Sequence, residues 1–300
     1  KCLGLKWYLE RPGDRREQPQ ISARNLLWAM LAGQILRECS FAAVEALVRS
    51  SARRPLGVAQ RFSDDTLAYF VERADPNVTR RAAAAAIRRA KRNKAFDNSR
   101  CIGLALDGTR SSGCKDQLCP LCRPTKNEKD KIIGYHHEVV MISVVGTGLS
   151  LPFDVEPYGP GDSEYAAGQR LLRRAVALFG PRFAQYVVVD AKFATAPYLK
   201  TAGKCGLPVV ARLDDNLSEL FAAAQKRFNS QAPHAVFRHA QERVEIWDAD
   251  DFDPWNTLDW ETVRVLRYRQ HKPDGTVVEA YWLTNFSPRR VGGREIFRIC

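Results

Sequence analysis

Two aspartates and three cysteines are the residues of this 300-residue chain whose types and spacing point to chemistry. Asp107 closes the apolar run CIGLALD (101–107) and Asp190 closes YVVVD (186–190), followed by Gly108 and Ala191. Each carboxylate is therefore expected to emerge at a sheet edge. Carboxylates on adjacent strands repel each other unless a hard cation lies between them, and Mg²⁺ (or Mn²⁺) held in this way is the standard means of phosphoryl transfer. Either aspartate alone fits ordinary turn or N-cap chemistry; the pair, on strands that can be neighbours, brings a metal site into view. Cys114, Cys119 and Cys122 follow a Cys-x4-Cys-x2-Cys spacing amid Lys115, Arg123, Lys126, Lys129 and Lys131. Zn²⁺ would take these three thiolates and one imidazole from the returning strand, where His136 and His137 stand, giving a closed structural site that clips a long loop beside Asp107. The plainer alternative is three reduced thiols in a surface loop. A redox Cys-x-x-Cys fits less well, because Pro120-Leu121 lies in a loop and does not open a helix after a strand.

The elements that must position these residues follow from periodicity. Ile21, Leu26, Leu27, Met30, Leu31 and Ile35, then Phe41, Val44, Leu47 and Val48, recur at helical spacing. FSDDTLAYFVERAD (62–75) opens on a capping Ser63 or Asp64, and TRRAAAAAIRRAKRNKAF (79–96) is an alanine-rich basic helix. Residues 1–98 are thus expected to be an all-helical basic domain. HHEVVMISVVGTGLSLPFDVEP (136–157) predicts a hairpin and SEYAAGQRLLRRAVALFG (163–180) an amphipathic helix closed by Gly180. A strand at 186–189, a helix and a buried strand at 207–213 complete a mixed α/β core over 99–213 with helices on both faces, its zinc loop at 111–137. From 214 to 279 charged and apolar residues alternate around the Pro-Asp-Gly turn (273–275), which predicts a β-rich insertion before the chain returns to the core at 280–300. Trp247, Trp255, Trp260 and Trp282 fit packed strand positions better than platforms for unpaired bases.

Composition narrows the partners. Of the net charge of +12, residues 1–98 carry +9, with 19 Lys and Arg against 10 Asp and Glu. Arg80, Arg81, Arg88, Arg89, Lys91, Arg92 and Lys94 crowd the last helix of that segment, as phosphate contacts or as a solvated face; the scarcity of balancing acids favours a polyanion such as DNA. The apolar run NLLWAMLAGQIL (25–36) is too short to span a bilayer and no secretory pattern precedes it. Eight cysteines, scattered except for Cys114, Cys119 and Cys122, fit a reducing compartment with one metal cluster better than a disulfide framework, so the cytoplasm is expected and a membrane partner is not.

The segments ALDGTR (105–110), YHHEVVMISVV (135–145), LPFDVEPYGPGDSEYAAGQRLLRRA (151–175), YVVVDAKFATAPYLK (186–200) and YWLTNF (281–286), in that order, resemble the DDE transposases of bacterial insertion sequences. The resemblance covers most of the chain from 63 onward, and its specificity lies in the order of the segments. It implies a ribonuclease-H-like catalytic core in which Asp107 and Asp190 match the first two catalytic acids and 214–279 matches the β-rich insertion before a final glutamate helix. Glu295 lacks that helix's Tyr and Trp surroundings, so the third acid is expected beyond Cys300. Glu156 and Glu164, flanking PYGPGD, are similar to family positions, although helix capping accounts for them as well. A Cys/His-rich loop with a Tyr-His pair is also similar, and His137 aligns better than His136. The activity implied is metal-dependent cleavage of DNA at element ends followed by strand transfer to a target, with a homodimer holding the two ends. The alternatives are a catalytically inactive, zinc-containing DNA-binding relative and a ribonuclease-H-like nuclease without strand transfer.

Overall fold

The computed structural model describes residues 13–38, 40–96 and 101–300. Of the helical domain expected over 1–98, residues 1–12, 39, 97 and 98 lie outside these. The chain divides into two compact units, Lys1–Ala95 and Phe96–Cys300.

In the first unit, serines and an aspartate start the helices by accepting the unpaired amides of the first turn. Ser22 caps α1 (Ala23–Ile35), Ser40 caps α2 (Phe41–Arg49), Ser63 caps α3 (Asp64–Arg73), and Asp75 with Pro76 starts α4 (Pro76–Arg92). Leu26, Ala29, Val44, Val48, Phe62, Leu67 and Phe70 close one core. The buried Asn25 serves as a polar staple: its Oδ1 accepts the Ala59 amide at 2.8 Å and its Nδ2 donates to the Gln60 carbonyl. In α4 only Ala84 is fully buried, and Arg81, Arg88, Arg89 and Arg92 are exposed. No described helix is long and apolar enough to cross a membrane.

The second unit is built on one ten-stranded mixed sheet. Its strands are β1 (Gly103–Cys114), β2 (Arg123–Lys126), β3 (Ile132–Val145), β4 (Leu151–Tyr158), β5 (Tyr186–Val189), β6 (Val209–Leu213), β7 (Ala235–His239), β8 (Glu242–Phe252), β9 (Val263–His271) and β10 (Val277–Thr284). They run in the order β2-β3-β1-β5-β6-β10-β9-β8-β7, with β4 also paired to β3. Only β1-β5 and β5-β6 are parallel, and the valine run of β5 between them is the near-continuous apolar sequence such strands need. Helices lie on both faces. On one side Leu104 lines a small cavity with Ala175, Val176 and Phe179 of α5 (Glu164–Phe179), α6 (Ala196–Lys204) packs on α5 and α7 (Ser218–Asn229) sets Phe221 against Tyr281. On the other side Tyr186, Val210, Ile246 and Leu266 meet Ile296 and Phe297 of α8 (Gly293–Ile299).

One feature differs from the expectation from sequence. The first strand does not stop at Asp107: β1 continues to Cys114 because β3 supplies an antiparallel partner along its whole length, with an irregularity between Arg110 and Ser112. Residues 281–284 of β10, in the segment expected to return to the core, pair with β6 from Tyr281↔Leu213 to Thr284↔Val210, and β9, β8 and β7 of the β-rich stretch extend the same sheet outward from β10. Trp247 is buried, donates to the Gln231 carbonyl at 2.9 Å and lies under the Arg267 guanidinium, so it is a packed strand residue.

Candidate functional site

Parallel pairing of β1 and β5 runs from Gly103↔Tyr186 to Leu106↔Val189, so Asp107 and Asp190 are the next residues on adjacent strands. Beyond this point the chain after Val189 turns into a short helical segment (Ala191–Phe193), and Asp190 Oδ1 accepts the Lys192 amide at 3.1 Å. Glu164, the first residue of α5, joins them: carboxylate oxygens of Asp107, Glu164 and Asp190 all lie within 4.8 Å of one another.

Two glycines permit this approach. A Cβ on Gly108 would overlap Glu164 Oε1, and a Cβ on Gly168, one turn along α5 from Glu164, would stand 2.5 Å from the Phe193 ring. Bare backbone at both positions lets the start of α5 settle onto β1 and onto the turn after Asp190. Glu164 Oε2 receives the Lys192 ammonium at 3.3 Å, whereas Oε1 is buried without a hydrogen-bond partner. Burial, then the charges of Glu164 and Asp107, push the Asp190 carboxyl above the usual range against the opposing pull of Lys192. The Lys192 ammonium is held more firmly protonated, chiefly by its bond to Glu164. Three converging carboxylates, one with an orphaned buried oxygen, fit a hard divalent cation by donor type and by electrostatics.

Glu164 carries a weak sequence signal, because an acid in the first turn after a Ser N-cap is ordinary helix chemistry. Its near twin Glu156 goes elsewhere: its two oxygens take Arg170 and Arg174, each at 2.7 Å. Glu295 accepts the Gly292 amide at the start of α8 and is not in the carboxylate group.

The cysteine loop forms a second group. Cys119 Sγ and Cys122 Sγ are 3.8 Å apart, and His137 Nε2 lies 3.1 and 3.3 Å from them. Cys114, at the end of β1, donates to the Asp116 carbonyl at 3.0 Å; partial desolvation, then the neighbouring Cys122 sulfur, push its thiol up. His136 points to the other face of β3, with Nδ1 at 2.8 Å from Thr125 Oγ1 and Nε2 at 3.3 Å from Glu138. Of the basic residues, Arg80, Arg81, Arg88, Arg89, Lys91 and Arg92 lie in α4, and Lys94 just follows it; Arg80 donates to Asn77, and burial pushes the half-buried Lys91 down.

No family model matches the chain, and no curated protein matches it. Among solved structures the chain is similar to one described as a cryo-EM structure of a piggyBac transposase synaptic complex with hairpin DNA, at 12% identity and a TM-score of 0.42. The match covers 98% of this chain and 62% of that one, so the chain spans under two thirds of its length.

Proposed function

We propose that this chain is a DNA transposase of the DDE type that performs metal-dependent phosphoryl transfer with Asp107, Glu164 and Asp190. The convergence of these three carboxylates beside the parallel strand pair carries the reading. The resemblance of the ordered sequence segments to insertion-sequence transposases supplies the substrate class. Glu164, which precedes Asp190, adds a carboxylate inside the chain and does not take the place of the glutamate that the resemblance expects after the insertion.

The three carboxylates would hold Mg²⁺ or Mn²⁺, which when bound activates a water or 3′-hydroxyl and stabilises the leaving oxygen. Asp107 is exposed and would face the incoming phosphodiester. Glu164 is fixed from one side by Lys192 and from the other by the bare backbone of Gly108. Lys192, held protonated, keeps a positive charge at the rim of the site that tempers the acidic group toward a phosphate. The basic face of α4 supplies counter-charge for the duplex, and element ends and target are both double-stranded DNA in this scheme; synapsis of two ends calls for a homodimer.

The test uses the full chain with duplex DNA carrying the sequences that flank its own gene. Cleavage in Mg²⁺ or Mn²⁺ is expected, with loss in Asp107→Asn and Asp190→Asn while DNA binding persists. Gly108→Ala adds no charge but drives a methyl into Glu164, and displacement by about an ångström should lower the rate by roughly 100-fold, as should Glu164→Gln. Tight DNA binding with no cleavage under any divalent ion would favour the inactive DNA-binding relative. Cleavage that survives in the Asp107→Asn, Asp190→Asn double variant would overturn the assignment.

A further inference from the structure

Phosphoryl transfer leaves the Cys114–His137 region without a role. We infer that Cys114, Cys119, Cys122 and His137 bind one structural Zn²⁺, and that the resulting knuckle fixes the turn from which Glu164 enters the acidic group.

The ligand set is assembled by register. Cys114 pairs with Tyr135 across β1 and β3, so His137, two residues on, projects from the same face. Cys119 and Cys122 approach that face from the intervening loop, where the Cys122 amide donates to the Cys119 carbonyl at 3.1 Å. A sulfur separation of 3.8 Å is far too long for a disulfide, whose bond is about 2.05 Å. It is the edge of a tetrahedron with Zn–S of about 2.3 Å, for which sulfurs stand ~3.8 Å apart. Cys122 is 1% exposed, so its sulfur is screened from water. Two thiolates and one imidazole stand at tetrahedral spacing, with the Cys114 thiol at the end of the adjoining strand as the fourth donor; such a set selects zinc over magnesium or calcium, and a fourth protein ligand closes the site to substrate.

The knuckle reaches Glu164 through two contacts. Gly159 lies so close beneath it that a Cβ there would stand 3.0 Å from Leu121 Cα and 3.3 Å from the Pro120 carbonyl. Arg123, directly after Cys122, donates at 2.8 Å to the carbonyls of both Gly159 and Asp162, pairs with Glu138 at 3.0 Å and stacks on Tyr158. Asp162 leads into the N-cap Ser163 and then into Glu164. A metal that holds Cys119 and Cys122 therefore holds Arg123, and Arg123 holds the turn at 159–162. This positioning role rests on the proposed acidic site; zinc binding itself does not.

The full chain, purified from metal-replete medium, is assayed for metals by elemental analysis and for zinc release to a chromophoric chelator when its thiols are blocked with a mercurial. About one zinc per chain, released on blocking, is expected. Cys119→Ser and His137→Ala should lose it, whereas His136→Ala and Asp107→Asn should keep it. Replacement by Co²⁺ should give the thiolate charge-transfer and tetrahedral d–d absorption bands. Hydrogen exchange of the amides at 159–168 should quicken roughly tenfold on zinc removal, with β8–β10 unchanged. Absence of zinc from the wild type, iron in its place, or zinc lost with His136→Ala but kept with His137→Ala would overturn the site. Unaltered exchange at 159–168 after zinc removal would overturn the positioning role. None of these readouts depends on DNA cleavage.

Discussion

Asp190 is where stability and chemistry oppose each other. Its carboxyl is pushed above the ordinary value of 3.8 by burial and by Glu164 and Asp107, so the folded state binds its proton more tightly than the unfolded chain does. The resulting cost to stability is absent below the ordinary carboxylate value, grows as pH rises through it, and is complete above the raised value. Asp190→Asn should therefore raise the thermal midpoint of the metal-free protein at pH 7, and the gain should shrink toward zero near pH 3. Excess Mg²⁺ should stabilise the native protein and not the variant. A variant less stable than the native protein at pH 7 without metal would show that Asp190 is held by contacts other than these charges. Asp107 and Asp190 were visible in the sequence because an acid closing an apolar run is a local pattern. Glu164 was not separable from a helix cap, since what brings it in is tertiary: the lack of a side chain on Gly108 and Gly168.

At the scale of elements, helices were the most legible. Ser22, Ser40 and Ser63 cap where the periodic runs begin, and α4 spans the alanine-rich basic stretch. The extent of β1 was hidden, because its outer half, GTRSSGC, has no apolar periodicity and is a strand only because β3 pairs with it. The alternating residues of β7–β10 announce strands and YWLTNF is expected to rejoin the core; that β7–β9 lengthen the same sheet follows only from their pairing outward from β10, which meets Leu213 through Tyr281. The exposed arginines of α4 lead to a measurement on DNA. Every phosphate neutralised by an arginine releases counterions, so reversing Arg88, Arg89 and Arg92 to glutamate should lower affinity and flatten the slope of log K against log salt by roughly one unit for each phosphate left unneutralised. An unchanged slope would mean that this face meets only water.

Across the whole molecule, the sheet joins two kinds of strand pairing with different reach along the chain. The outer arm is local: Arg269 and Glu279, 10 residues apart, already bond across β9 and β10, and Arg264 meets Asp248 over 16. The centre is not. Ile102 reaches Gln185 over 83 residues, and Val209 reaches Asn285 over 76. Closing long loops before any interaction compensates their entropy is slow, so short-range pairs should assemble first. The carboxylate group is formed from Asp107, Glu164 and Asp190, which meet only when the central parallel strands have closed. Pulse-labelled exchange during refolding should accordingly find the amides of β8–β10 protected before those of β5. Simultaneous protection would contradict this order. The last part of the fold to form is then the proposed divalent-ion site, so a newly synthesised chain would gain the capacity to cut only once its central strands have closed.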